Sequence, residues 1–184
     1  MNRKHIHEPR LNVSLRTAWR RNDPAIERDA ELFWREEQLI PQTADVGQRL
    51  KELCVAGYKG DALVVLSTAR IKYLGFLGAK LAMLRNAVGS SQRRNRLGTH
   101  ILTASREMLE QWSLDNPAEE VMGMATIEQN PQLERGPPRG YLRDTHLNFI
   151  GWTANGEMMR VAWFDHATVP LRGPDPSRNL EREP

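Results

Sequence analysis

The stretch Val88–Leu102, VGSSQRRNRLGTHIL, joins an apolar run to a small polar turn and then to the start of a long amphipathic segment. A helix beginning here presents backbone amides that have no intrahelical acceptor, at the positive end of its dipole. Such a terminus holds a phosphate without help from side chains. Arg93, Arg94 and Arg96 add three cations at the same end, where positive charge is unfavourable to an isolated helix. A bound phosphate removes that conflict. The alternative is a solvated basic surface.

Other residue types that do chemistry form no comparable arrangement. Cys54 is the one cysteine; it excludes an intrachain disulfide and a cysteine zinc site, and its apolar surroundings make it a core residue rather than a nucleophile. His100 and His146 are widely separated and lack carboxylate companions, and His5 and His7 belong to a basic arm. Asp165-His166 reads as the surface end of a strand. Glu128 is either a base acting through water or a salt-bridged carboxylate. Met122, Met124, Met158 and Met159 are packing residues; so are Trp152 and Trp163, with the lining of a substrate groove as the alternative.

The Val88–Leu102 stretch resembles the acetyl-CoA-binding motif of the GNAT acetyltransferase superfamily: a strand ending in Val, a short turn, Arg/Gln-x-x-Gly-x-Gly/Ala, then a helix with paired apolar residues. Val88, Arg93, Gly98 and Ile101-Leu102 fill those places. The resemblance implies acetyl-CoA as co-substrate, with its pyrophosphate against Arg93, Arg94, Asn95, Arg96, Leu97, Gly98 and Thr99. It also implies Val88 pairing with the pantetheine amides, Asn130 holding the pantetheine arm, and the backbone N–H of Asn86 facing the thioester oxygen. Gly151-Trp152 is similar to the Gly-Phe that opens the family's sixth strand. Two departures stand out. Arg96 occupies the place of the central Gly, and the family's Tyr falls in register on Pro137, leaving Tyr141 as the candidate proton donor. The implied reaction moves an acetyl group from a thioester to an amine without a covalent enzyme intermediate. Arg135, Arg139 and Arg143 either favour an acceptor bearing a carboxylate or phosphate or are solvated. A non-catalytic acyl-CoA-binding or partner-binding module is the alternative function.

The elements that must position these residues can be read from hydrophobic period and punctuation. Leu11–Trp19 alternates as a strand. Asp23 as N-cap and Pro24 in the first turn open a helix that Pro41 is expected to end. A second short helix is expected within 43–53, then strands over 53–57 and 62–71 joined by Tyr58-Lys59-Gly60-Asp61. A strand over 80–88, a helix to about Trp112 stopped by Asn116-Pro117, and a strand over 120–128 follow. The Pro-, Gly- and Arg-rich segment 130–145 reads as a loop. Strands over 146–153 and 157–164 joined by Ala154-Asn155-Gly156 end the series. The order predicts an α+β fold: a GNAT-like mixed, mainly antiparallel sheet of about six to seven strands, with a parallel splayed pair and flanking helices. Residues 1–10 read as a flexible basic arm, 11–169 as the domain and 170–184 as a disordered tail.

At 184 residues and 40% hydrophobic content, the chain suits one domain with a real core. No apolar run is long enough to span a bilayer, the N-terminus has no secretory pattern, and a reducing cytoplasm is the expected setting. The formal net charge is only +3, yet Arg70 to Arg106 holds eight Lys/Arg and no acid. An internal basic stretch in an otherwise acidic chain fits a compact anion better than a polyanion. Nucleic acid is therefore the disfavoured third reading. The last hairpin is the candidate surface for a homodimer.

Overall fold

Asp23 accepts hydrogen bonds from the amides of Ala25 and Ile26 at 3.0 and 3.4 Å, and Pro24 needs no donor at the first turn; together they start α1 (Pro24–Glu36). Asp45 caps α2 (Val46–Lys51) in the same way through the amide of Gln48, at 3.0 Å. The computed structural model describes residues 7–8, 12–41, 43–93, 96–128 and 139–168. The rest of the predicted basic arm, the segment 129–138 and the tail from 169 lie outside the described residues.

The chain divides into two compact units, residues 1–69 with 85–105 and residues 70–84 with 106–184. The described strands are β1 (His7–Glu8), β2 (Val13–Thr17), β3 (Leu53–Lys59), β4 (Ala62–Leu74), β5 (Ala79–Val88), β6 (Val121–Glu128), β7 (Tyr141–Leu142), β8 (Leu147–Trp152) and β9 (Met158–Trp163). β4, β5 and the long helix α3 (Leu97–Asp115) each contribute residues to both units.

In the first unit the hydrogen-bonded order is β1-β2-β3-β4-β5. β1–β2, β2–β3 and β3–β4 are antiparallel. The β3–β4 hairpin closes on the pair Lys59↔Ala62, with Gly60 at φ +60° in the turn, a backbone region open to glycine at no steric cost. α1 packs Ile26, Ala30, Phe33 and Trp34 with Leu53, Ala56, Tyr58 and Leu66 of the sheet. Tyr58 is buried and donates its hydroxyl to Asp29 of α1 at 3.0 Å, while Arg16 lies 4.3 Å above its ring.

In the second unit the order is β4-β5-β6-β9-β8-β7. β5 and β6 pair in parallel from Lys80↔Val121 to Leu84↔Thr126, which is the expected crossover on α3. β6–β9, β9–β8 and β8–β7 are antiparallel, and Leu81, Ala125 and Val161 centre the core. No helix among the described residues is long and apolar enough to cross a membrane.

The α+β class, the mixed sheet and the single parallel pair match the sequence reading. Three details differ. Among the described residues the strand count is nine, because two-residue pairings, β1 and β7, flank the order. The first helix stops at Glu36, not at Pro41, because Gln38 takes a left-handed φ of +53°. The second is confined to six residues by the Asp45 cap.

Candidate active site

Val88 ends β5, and Gly89 follows with its amide bonded to the carbonyl of Val64 at 2.9 Å. A Cβ at Gly89 would meet that carbonyl oxygen at 3.2 Å and Oε1 of Glu37 at 3.3 Å, so the close approach calls for glycine. A short 3-10 helix, Ser90–Gln92, makes the turn. Glu37, just past the end of α1, accepts from the Ser90 amide at 2.9 Å and from its hydroxyl at 3.3 Å. The Ser90 amide is thus engaged by a carboxylate.

α3 starts after Arg96, whose carbonyl accepts the first α-type bond from the His100 amide at 3.0 Å. The amides of Leu97, Gly98 and Thr99 therefore have no intrahelical acceptor. Arg96 sits at φ +59°, in the left-handed region that glycine enters most readily. This is the place where the resembled motif has its central Gly, and here an Arg takes a backbone conformation open to glycine. Gly98 is open, since a Cβ there would meet only Cγ2 of Val88, at 3.9 Å. Leu97 and Ile101 are buried and fix the helix start to the core.

Asn86, Val88, Arg93, Arg96, Leu97, Gly98 and Thr99 thus belong to one unit. Arg94, Asn95 and Asn130 lie outside the described residues. Tyr141 belongs to the second unit, in β7; it is exposed, and its hydroxyl is 3.2 Å from Nδ1 of His146.

The second unit holds two features with chemical potential. Arg160 of β9 has no solvent exposure; its Nε donates to Oε1 of Glu128 at 2.7 Å and its Nη1 to the carbonyl of Arg139 at 2.6 Å. Glu128 is therefore the salt-bridged carboxylate of the two alternatives read from sequence. His166 Nε2 lies 3.1 Å from the Ser113 hydroxyl, which donates to the carbonyl of Val121 at 2.6 Å. With its proton engaged by a backbone carbonyl, Ser113 is no nucleophile. An open groove of about 350 Å³ lined by Glu107, Glu110, Gln111, Leu114, Asp165 and His166 includes none of the predicted site residues. Cys54 is fully buried, and burial pushes its thiol up to about 12, against smaller lowering by Ser67 and Ser105. The thiolate that nucleophilic catalysis needs is absent at neutral pH.

Sequence reasoning missed Glu37 and Arg160. No spacing rule links Glu37 to Ser90, fifty-three positions away. Arg160 did leave a signal: it is the one charge in the apolar strand MMRVAW, where a charge must find a partner.

Known structures resemble the fold over most of the chain. The aminoglycoside 6'-N-acetyltransferase from Enterococcus faecium matches 85% of this chain and 98% of its own, at 16% identity and a TM-score of 0.50. An alanine acetyltransferase for a ribosomal protein, from Vibrio fischeri, matches 85% and 96% at 10% identity and a TM-score of 0.52. The chain has the GNAT fold. A mutant of the toxin AtaT, solved with a segment of the antitoxin AtaR and acetyl-CoA, covers 83% of this GNAT-fold chain and 94% of its own, at 14% identity and a TM-score of 0.51. No protein-family model matches the sequence, and neither does any curated protein.

Proposed function

We propose that the protein is an N-acetyltransferase that moves an acetyl group from acetyl-CoA to an amine. The observation that carries this reading is the start of α3: the free amides of Leu97–Thr99, an open Gly98 and a left-handed Arg96, directly after a strand ending in Val88. That constellation suits a pyrophosphate. Arg93, Arg94 and Arg96 supply charge, with Asn95 in the same turn. Val88 pairs with the pantetheine amides and Asn130 holds the arm. The neutral amine attacks the thioester carbon; the developing oxyanion takes a hydrogen bond from the backbone N–H of Asn86. The C–S bond then breaks and the thiolate takes a proton from Tyr141, while the proton lost by the amine passes to water and returns to the tyrosinate. The same reading carries a cytoplasmic setting, supported by the single, buried cysteine, and leaves the last hairpin as the surface for a homodimer.

Calorimetric titration of acetyl-CoA into the wild type and into Gly98→Glu tests it. Micromolar binding lost in the variant, followed by acetyl transfer in a screen of amine acceptors, is the expected outcome. Binding without transfer across the screen would favour the non-catalytic module, and a folded wild type that ignores acetyl-CoA would remove the reading.

A further inference from the structure

Directly opposed residues in antiparallel strands project to the same face. In the second unit the pairs Glu128↔Met158↔Trp152 form one row across β6, β9 and β8, and Thr126↔Arg160↔Phe149 form the adjacent row. Arg160 and Met158 are two apart on β9, so both rows lie on one face. Phe149 and Trp152 share it although they are three positions apart, because a register shift falls between Phe149 and Gly151. Their rings meet edge to face, with centroids 5.4 Å apart. Trp152 is 61% exposed and Phe149 38%. On the same face, two strands away with Met158 between, stands a carboxylate held by one oxygen only. Oε1 of Glu128 is bound to Arg160, whereas Oε2 has no partner among the described residues and the side chain keeps 27% exposure. Arg160 itself is sealed, so a ligand meets the carboxylate and not the guanidinium. The buried hydroxyl of Thr126, in the next row, has no hydrogen-bond partner among the described residues.

We propose that this face receives the acetyl acceptor, and that the acceptor is a cationic amine with an aromatic or aliphatic arm; this rests on the acetyltransferase reading above. The ammonium group complements Oε2 of Glu128 and the electron-rich ring faces, and gives up a proton to water before the neutral amine attacks. The apolar arm covers Trp152 and Phe149, an exposed aromatic pair of the kind that marks binding surfaces. Arg160 is the positioning residue: by fixing Oε1 it leaves Oε2 to the ligand.

The test is calorimetry on the full chain with three ligands of one shape: 2-phenylethylamine, 2-phenylethanol and phenylacetate. Acetyl-CoA is titrated into the same samples. The amine should bind at least about tenfold more tightly than the alcohol, and phenylacetate more weakly still. Trp152→Ala, at an exposed position that puts no fold at risk, should weaken the amine by about tenfold. Glu128→Gln, checked for folding by circular dichroism, should reduce the amine to the affinity of the alcohol. Equal binding of all three ligands, tightest binding of phenylacetate, no amine binding, or wild-type amine affinity in Trp152→Ala would overturn the proposal. Acetyl-CoA binding alongside any of these leaves the acetyltransferase reading standing. The expected amine pattern without acetyl-CoA binding keeps this site and removes that reading.

Discussion

Arg96 holds a backbone conformation that costs an L-residue about 1 kcal/mol or more and costs glycine nothing steric. Arg96→Gly should therefore fold with stability within about 1 kcal/mol of wild type, relief of strain being offset by a freer unfolded chain. Arg96→Val should lose about 1–2 kcal/mol, because branching at Cβ worsens the clash; urea denaturation separates the two. Gly98→Glu should leave the fold intact, since only Val88 lies near, while a carboxylate aimed at the phosphates weakens acetyl-CoA by about 100-fold or more. Cys54 gives a pH signature. Its native pKa stands near 12 against 9.0 in the unfolded chain, so the folded state binds the proton more tightly. Stability from this group is complete below pH 9 and declines as pH rises from there towards 12, with a limiting slope of about 1.4 kcal/mol per unit. Burial and Asp29 raise Tyr58 as well, adding a decline in the same direction above pH 10. Cys54→Ala should flatten the fall in urea midpoint between pH 9 and 10.

Helix starts were legible in the sequence because their chemistry is local. Asp23, Pro24 and the apolar positions that follow announce α1, and Asp23→Ala should cost about 1 kcal/mol in thermal or urea unfolding. The hairpins were legible for the same reason, as Gly60 and Gly156 take the positive φ their turns need. The end of α1 was not, because Gln38 rather than a glycine or the later proline supplies the left-handed residue. Nor was the Glu128–Arg160 link, whose members are 32 positions apart. Glu128→Ala removes one charged hydrogen-bond partner from the sealed guanidinium and should cost about 1.5–3 kcal/mol. The double variant Glu128→Leu with Arg160→Met should regain most of that, as measured by denaturation of single and double variants.

At the scale of the molecule, element order carried the fold while pairwise identity to structures of the same fold is only 10–16%. Order survives because it depends on period and punctuation, which many sequences satisfy. The candidate phosphate contacts were legible as one run of sequence, and they occupy one unit. Hydrogen exchange on the full chain should accordingly show acetyl-CoA slowing residues 96–105 most, by about tenfold or more, with smaller effects across 139–168. The acceptor side was less legible because its residues come from three strands and meet only through register.

That register has an unusual relation to chain length. In a regular strand, Phe149 and Trp152 would point to opposite sides; the extra residue between Phe149 and Gly151 brings them together. Deleting Ile150 would restore strict alternation with the two aromatic positions now two apart, so both rings would stay on one side. The aromatic pair therefore tolerates, at this one point, an in-frame codon loss that in a regular strand would split it.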